Sequence, residues 1–361
     1  MEFLFGYLSF LAEVVTIVIA ILIILSFAFS ASQRQGDREP TGRLQVIHLN
    51  ERLRELRHGL EGALLPAPAV KKQHKQEAKA QAEAEKAKAK AVAQEIKKGA
   101  KDKTTQDTES EVGKEKRFFV LNFNGDIRAS ALEHLRLEIS ALLTMAKPQD
   151  EVVVCVESPG GMVHNYGLAA SQLSRVRRQG IPLTIVVDKV AASGGYLMAA
   201  VANKILAAPF ALIGSIGVVA QIPNIHRLLK KNDVDVEILT AGKYKRTLTT
   251  MGENTDEGRE KFIEELEDVH ALFQEFVTEN RPSLDIEAVA TGEAWYGKRA
   301  LELGLVDEIC TSDEYLTSAC SDAEVYELKW VETQKPIDRI MGKVNGLVDS
   351  AAAVVDGWRR V

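Results

Sequence analysis

Only three cysteines, Cys155, Cys310 and Cys320, occur in 361 residues. The odd number and the absence of metal-ligand spacing argue against a disulfide framework and a structural zinc site, with a Cys310–Cys320 pair as the alternative if the domain faces an oxidising compartment. No His-Glu-x-x-His run or other metal constellation is present, so neither a metal nor a cofactor is expected. A basic excess is missing as well. The 45 Lys and Arg are outnumbered by 51 Asp and Glu, a net charge of −6, whereas a general nucleic-acid binder is strongly basic. No lysine or arginine precedes Arg34, so the chain also lacks the basic n-region of a cleavable signal peptide.

What stands at the N-terminus is a charge-free run from Val14 to Ala31, VVTIVIAILIILSFAFSA. About 20 apolar residues span a hydrocarbon core of about 30 Å, so residues 1–33 are expected to be an uncleaved transmembrane anchor in contact with a lipid bilayer. Arg34, Arg38 and Arg43 follow it, and the positive-inside rule places the downstream domain in the cytoplasm. Residues 34–69 contain an amphipathic helix, expected over 44–65, whose Leu49, Leu53, Leu56 and Leu60 form a narrow apolar seam suited to self-association or docking. Pro66 and Pro68 stop it. Residues 70–117 hold 14 Lys/Arg and 9 Asp/Glu, a local net of +5, with Val92, Ile96 and Val112 as their larger aliphatics beyond Val70. Such a segment cannot bury enough surface to fold alone and reads as a solvated, semi-rigid linker.

From Phe118 the pattern changes. FFVLNF (118–123), EVVVCV (151–156), LTIVV (183–187) and VEIL (236–239) read as strands, and residues 129–145, 162–176, 194–202 and 255–279 have helical periodicity. Alternating strands and helices define an α/β domain over residues 118–310, with a largely parallel sheet, flanking helices and a C-terminal extension over 311–361. Ligands of such sheets sit at the carboxyl ends of strands. Two turns fall there. Glu157-Ser158-Pro159-Gly160-Gly161 follows one strand, and consecutive glycines let backbone N–H groups approach an oxyanion. Ala191-Ala192-Ser193-Gly194-Gly195-Tyr196 follows the next. Ser193 there is either a nucleophile favoured by the helix dipole or simply the cap of the helix. A Gly-x-Ser-x-Gly elbow is not formed, because Ala191 occupies the first glycine's place.

A serine nucleophile needs a base. Of seven histidines, only His164 lies near either turn. Lys243 and Lys245, after VEIL, are the other option, together with Lys189. A lysine base must be neutral, so its pKa must fall from about 10.4 to roughly 7–8, a cost of about 4 kcal/mol that burial can supply.

Ser-Pro-Gly-Gly, Ala-Ser-Gly-Gly-Tyr, Gly-Ser-Ile-Gly-Val (214–218), Gly-Lys-Tyr-Lys (242–245) and Gly-Leu-Val-Asp (304–307) occur in that order. In this the chain resembles the signal peptide peptidase A family of membrane-bound serine–lysine peptidases over about residues 117–310. The resemblance implies a fold like that of Clp protease and crotonase, a bacterial inner-membrane location with a single span, and peptide or protein substrates. It opposes the cytoplasmic placement. By position, Ser193 corresponds to the nucleophile, Lys245 to the general base and Ser215 to the hydroxyl that orients the lysine. Gly161 and Gly194 correspond to the oxyanion hole. A homo-oligomeric ring is implied too, with dyads that form across neighbouring subunits. Ile213–Gln221 has no histidine, so a dyad fits and a Clp-type triad does not. Arg246-Thr-Leu-Thr-Thr departs from the family pattern beside the lysine. Two rival readings are an acyl-CoA thioester enzyme on the crotonase fold and a catalytically silent membrane scaffold.

Overall fold

A computed structural model describes residues 42–66 and 116–332, together with position 16 and scattered positions between 68 and 90. The anchor expected over 1–33 lies outside the described residues except for Thr16, as do most of the linker and residues 333–361. Among the described residues, no helix is long and apolar enough to cross a membrane. Residues 44–330 form one compact unit; of the chain ends grouped apart from it, only Thr16, Gly42, Arg43, Val331 and Glu332 are described.

The unit is built on a seven-stranded sheet. Its strands are β1 (Gly42–His48), β2 (Arg117–Asn124), β3 (Glu151–Glu157), β4 (Leu183–Val187), β6 (Lys204–Ala207), β9 (Glu308–Ile309) and β10 (Glu324–Glu332), in the order β1-β10-β2-β3-β4-β6-β9. From β10 to β9 every pairing is parallel. Parallel strands buried on both faces need continuous apolar runs, and the side-chain period of two sorts those runs onto two cores. Phe119, Leu121, Phe123, Val152, Val154, Val156, Leu183 and Ile185 face one core, completed by α2 (Leu132–Leu142) and α3 (Val163–Arg178). Phe118, Val120, Val153 and Val186 face the other, covered by α9 (Ser312–Asp322) and by Leu49 of α1 (Leu49–Leu64). Each fully buried aliphatic contributes about 1.5–3 kcal/mol.

A smaller sheet orders β5 (Val190–Ala192), β7 (Leu212–Gly214) and β8 (Ala294–Tyr296), with β5 parallel and β8 antiparallel to β7. Between and after these strands come α4 (Gly194–Ala200), α5 (His226–Lys231), α6 (Asp256–Asn280), α7 (Ile286–Val289) and α8 (Gly297–Glu302). Thr255 caps α6, its hydroxyl oxygen accepting from the Gly258 N–H at 3.1 Å, with Asp256 and Glu257 complementing the positive end.

Three expectations need correction. Residues 44–48 are not helical but belong to strand β1, at the sheet edge beside β10. Long-range contacts override the helical spacing there. The His48 ring stacks on Tyr326 at 4.9 Å, and the Asn50 side chain donates to the Cys320 and Ala323 carbonyls at 2.9 and 2.8 Å and accepts from the Val325 N–H at 2.8 Å. Val236–Leu239 forms no strand, because it finds no ladder partner; Leu239 is 90% exposed. Residues 312–332, expected within a C-terminal extension, form α9 and β10, and β10 lies inside the main sheet. The three cysteines are free thiols, and burial pushes Cys155 up to about 12.

Candidate active site

The ends of β3, β5 and β7 meet through backbone hydrogen bonds. Ser158 N–H donates to the Val190 carbonyl at 2.8 Å, and Ala192 N–H returns to the Ser158 carbonyl at 3.0 Å. Ala192 is paired with Gly214, and the next residue, Ser193, donates its N–H to the Gly214 carbonyl at 2.7 Å. The parallel register therefore sets Ser193 beside Ser215, each one residue past a paired strand position.

Ser193 sits at φ 51° and ψ −119°, and Ser215 at φ 51°. Such values cost a side-chain-bearing residue about 1–3 kcal/mol and persist only where the surroundings impose them. The cap reading of Ser193 fails, because its hydroxyl makes no capping hydrogen bond. The residue is half-buried, and among the described residues its Oγ has no partner.

The Gly-Gly turn lies against this serine. A Cβ at Gly160, whose φ is +90°, would fall 2.7 Å from the Ser193 Cβ and 2.8 Å from the Gly194 nitrogen. Only a glycine allows that approach. Met162 N–H, just beyond the turn, donates to the Ile127 carbonyl at 2.8 Å, whereas the N–H groups of Gly161 and Gly194 have no acceptor among the described residues. These are the donors an oxyanion requires.

A buried polar network fixes the turn, and its tyrosine was missed by motif reading. Tyr166 on α3 donates its one proton to the Asp126 carbonyl at 2.7 Å. Ser158 must then be the donor in its 2.6 Å bond to the Tyr166 oxygen, and its own oxygen accepts from the Gly160 N–H at 3.1 Å. Burial pushes the Tyr166 phenol up, which keeps the proton in place. The same ring packs on Gly194, where a Cβ would fall 2.4 Å from the Tyr166 Cγ. One tyrosine thus braces both glycine segments. Its only sequence signal was an aromatic residue five positions after Gly161.

The remaining motif supports α4 from behind. Tyr196 donates to the Leu305 carbonyl at 3.0 Å. Asp307 receives a bidentate pair from Arg281, at 2.7 and 2.8 Å, and the Ile205 N–H at 2.7 Å. Burial raises the Asp307 pKa, but these donors outweigh it and hold the carboxyl below its usual range. Gly-Leu-Val-Asp is a clamp, not a ligand set.

The candidate bases stand apart from one another. Lys189 is held by both oxygens of Glu157 at 3.0 and 2.9 Å. Lys243 pairs with Glu257 at 2.9 Å. Hydrogen bonds to Tyr244 and Glu257 raise its pKa, the opposite of what a base needs. His164 is exposed on the first turn of α3. Lys245 is exposed in a turn closed by its own N–H on the Gly242 carbonyl at 3.2 Å. With no strand at 236–239, it does not follow a strand end as the sequence suggested. No hydrogen bond joins it to Ser193 or Ser215, and the Ser215 hydroxyl donates to the Gly292 carbonyl at 3.3 Å. The structure brings Ser193, Ser215, Gly161 and Gly194 together and leaves Lys245 in the exposed loop.

An α/β chain with a strained serine beside uncommitted backbone donors belongs among hydrolytic enzymes in its general form, and the comparisons narrow it. Signatures described as "Peptidase family S49 N-terminal" and "Peptidase family S49" match residues 2–173 and 175–326. The chain belongs to peptidase family S49. It is 50% identical over 329 residues to "Probable protease SohB" of Haemophilus influenzae, covering 91% of this chain and 89% of that one. A second protein of the same printed name, from Buchnera aphidicola subsp. Schlechtendalia chinensis, is 60% identical over 200 residues, 55% of this chain and 66% of the other. An Enterococcus faecium protein with "signal peptide peptidase SppA" in its name is 29% identical over 243 residues, 62% of this chain and 70% of its own. The chain is a peptidase close to the SohB proteins.

Proposed function

We propose that the protein is a membrane-anchored serine endopeptidase in which Ser193 attacks the scissile carbonyl and Lys245 takes its proton. Ser215 orients the lysine amine, and the Gly161 and Gly194 N–H groups stabilise the tetrahedral oxyanion. The observation that carries this reading is the Ser193 turn: positive φ, an uncommitted Oγ and a glycine backbone in van der Waals contact. The anchor is residues 1–33, the linker is residues 70–117, and the location is a bacterial inner membrane. The substrates are extended, largely apolar peptides, such as signal-peptide remnants or misfolded membrane-associated polypeptides.

The base comes from a neighbouring subunit in a homo-oligomeric ring. Two features support this. The Lys245 side chain makes no hydrogen bond to Ser193 in its own chain, and the surrounding segment exposes Val219, Leu228, Ile238, Leu239, Tyr244 and Met251. An apolar surface of that extent favours burial against another copy. A fluorophosphonate probe tests the core of the proposal. Labelling of the full chain that disappears in Ser193→Ala supports it, and absence of labelling in the assembled protein sinks it. Cleavage profiling of a peptide library tests the substrate class, and a preference for charged residues at P1 would overturn that part.

A further inference from the structure

Away from the catalytic turn, α1 and the helical residues at 74–77 bring together two His-x-x-Glu pairs. His58 and Glu61 lie on α1, three residues apart and so on one helix face. His74 and Glu77 repeat that spacing beyond the proline stop at Pro66 and Pro68. The pairs engage crosswise: His58 Nε2 lies 2.9 Å from Glu77 Oε2, and His74 Nε2 lies 3.1 Å from Glu61 Oε2. The two imidazole rings are 3.9 Å apart, centre to centre. One donor atom from each of His58, Glu61 and His74 lies within 4.8 Å of the others, and Glu61, at 15% exposure, is well covered. Arg57 accompanies them, 2.9 Å from Glu77 and 3.4 Å from Glu61.

We propose that His58, Glu61 and His74 bind one divalent metal ion of the zinc class, with Glu77 beside His58. Mixed imidazole and carboxylate donors suit zinc and its neighbours, whereas calcium and magnesium take oxygen ligands. Ligands placed tetrahedrally at about 2.0–2.1 Å from the ion are about 3.3 Å apart. The crossed pairs stand at 2.9 and 3.1 Å, and the donor atoms of His58, Glu61 and His74 within 4.8 Å of one another, so side-chain rotation must draw these three together around the ion. The carboxylates of Glu61 and Glu77 supply negative charge at the group, with Arg57 as a described counter-charge. The ion would clip the segment after the prolines onto α1 and close the intervening loop. Motif scanning misses the group because its halves lie on separate helical stretches, outside any short ligand signature.

Isothermal titration of the chelated full chain in detergent with Zn2+ tests the site. One equivalent should bind per chain, at least tenfold more weakly in His58→Ala and His74→Gln. Arg57→Ala should bind equally or more tightly, because it removes a competing cation while keeping every ligand. A simple ion-paired hairpin predicts no stoichiometric uptake and no effect of these changes on Zn2+ affinity, and that result overturns the proposal. A second measurement needs no variant. Zn2+ should protect His58 and His74 of the wild type from diethyl pyrocarbonate, read by mass spectrometry, and equal modification with and without the metal refutes the site.

Discussion

Tyr166→Phe separates the phenol's polar role from its packing role. The ring stays against Gly194, but the hydroxyl that joins Ser158 to the Asp126 carbonyl is gone. The buried Ser158 hydroxyl then has no acceptor, and the Asp126 carbonyl loses this donor. A buried polar group left unsatisfied costs about 1–3 kcal/mol. At about 2–4 °C per kcal/mol for a domain of this size, Tm should fall by roughly 3–10 °C. The kinetic effect follows from Gly160, whose N–H donates to that same Ser158 oxygen. Loosening it lets the Gly160-Gly161 turn drift from Ser193. Full loss of one oxyanion donor costs about 10²–10³ in kcat, so a misplaced donor should cost about tenfold or more. KM should change little, because the hydroxyl lies behind the turn and away from substrate. The assay is steady-state hydrolysis of a signal-peptide-like fluorogenic substrate, alongside thermal melting. A variant with lowered Tm but kcat within twofold of wild type would refute the bracing argument. A variant unchanged in both would refute the network itself.

Ser193→Ala and Lys245→Ala should each abolish hydrolysis with Tm within about 2 °C of wild type, since neither side chain makes a hydrogen bond and Ser193→Ala keeps the Cβ that packs on Gly160. Mixing the two inactive proteins should restore part of the activity, because some interfaces pair an intact serine with an intact lysine; mixed oligomers that form and stay dead would place the dyad within one chain. Gly194→Ala, whose Cβ would meet the Tyr166 ring at 2.4 Å, should lose about 1–3 kcal/mol and most fluorophosphonate labelling, read by melting and gel fluorescence. Asp307 has a lowered folded pKa, so its contribution is present above the unfolded value of about 3.9 and is lost as pH falls through the folded one. Asp307→Asn should therefore be less stable near neutrality by about 1–3 kcal/mol, discounted for the carboxylate's partial exposure, and the gap to wild type should narrow below about pH 4 in urea melts.

Much of this protein is local and therefore legible in its residue order. Continuous apolar runs at 118–123, 151–156 and 183–187 can satisfy their burial only as two-sided parallel strands, and they do. The glycine-flanked turns after those runs marked the carboxyl end of the sheet, and Ser193 could be singled out because a nucleophile's turn is written in adjacent residues. Position 236–239 shows the limit of that reasoning. A four-residue apolar run is a strand only if another strand offers it hydrogen bonds, and pairing is a property of distant segments. Residues 44–48 erred in the other direction: their helical spacing yielded to Tyr326 and to the carbonyls bound by Asn50, some 270 positions away. Tyr166, Arg281 and the crossed His58–Glu77 and His74–Glu61 pairs were equally hidden, because each acts through a contact with no fixed sequence offset. The sequence by itself determined which residues could do chemistry. Only the tertiary structure decided which of them stand together, because that depends on how the strands are ordered in the sheet.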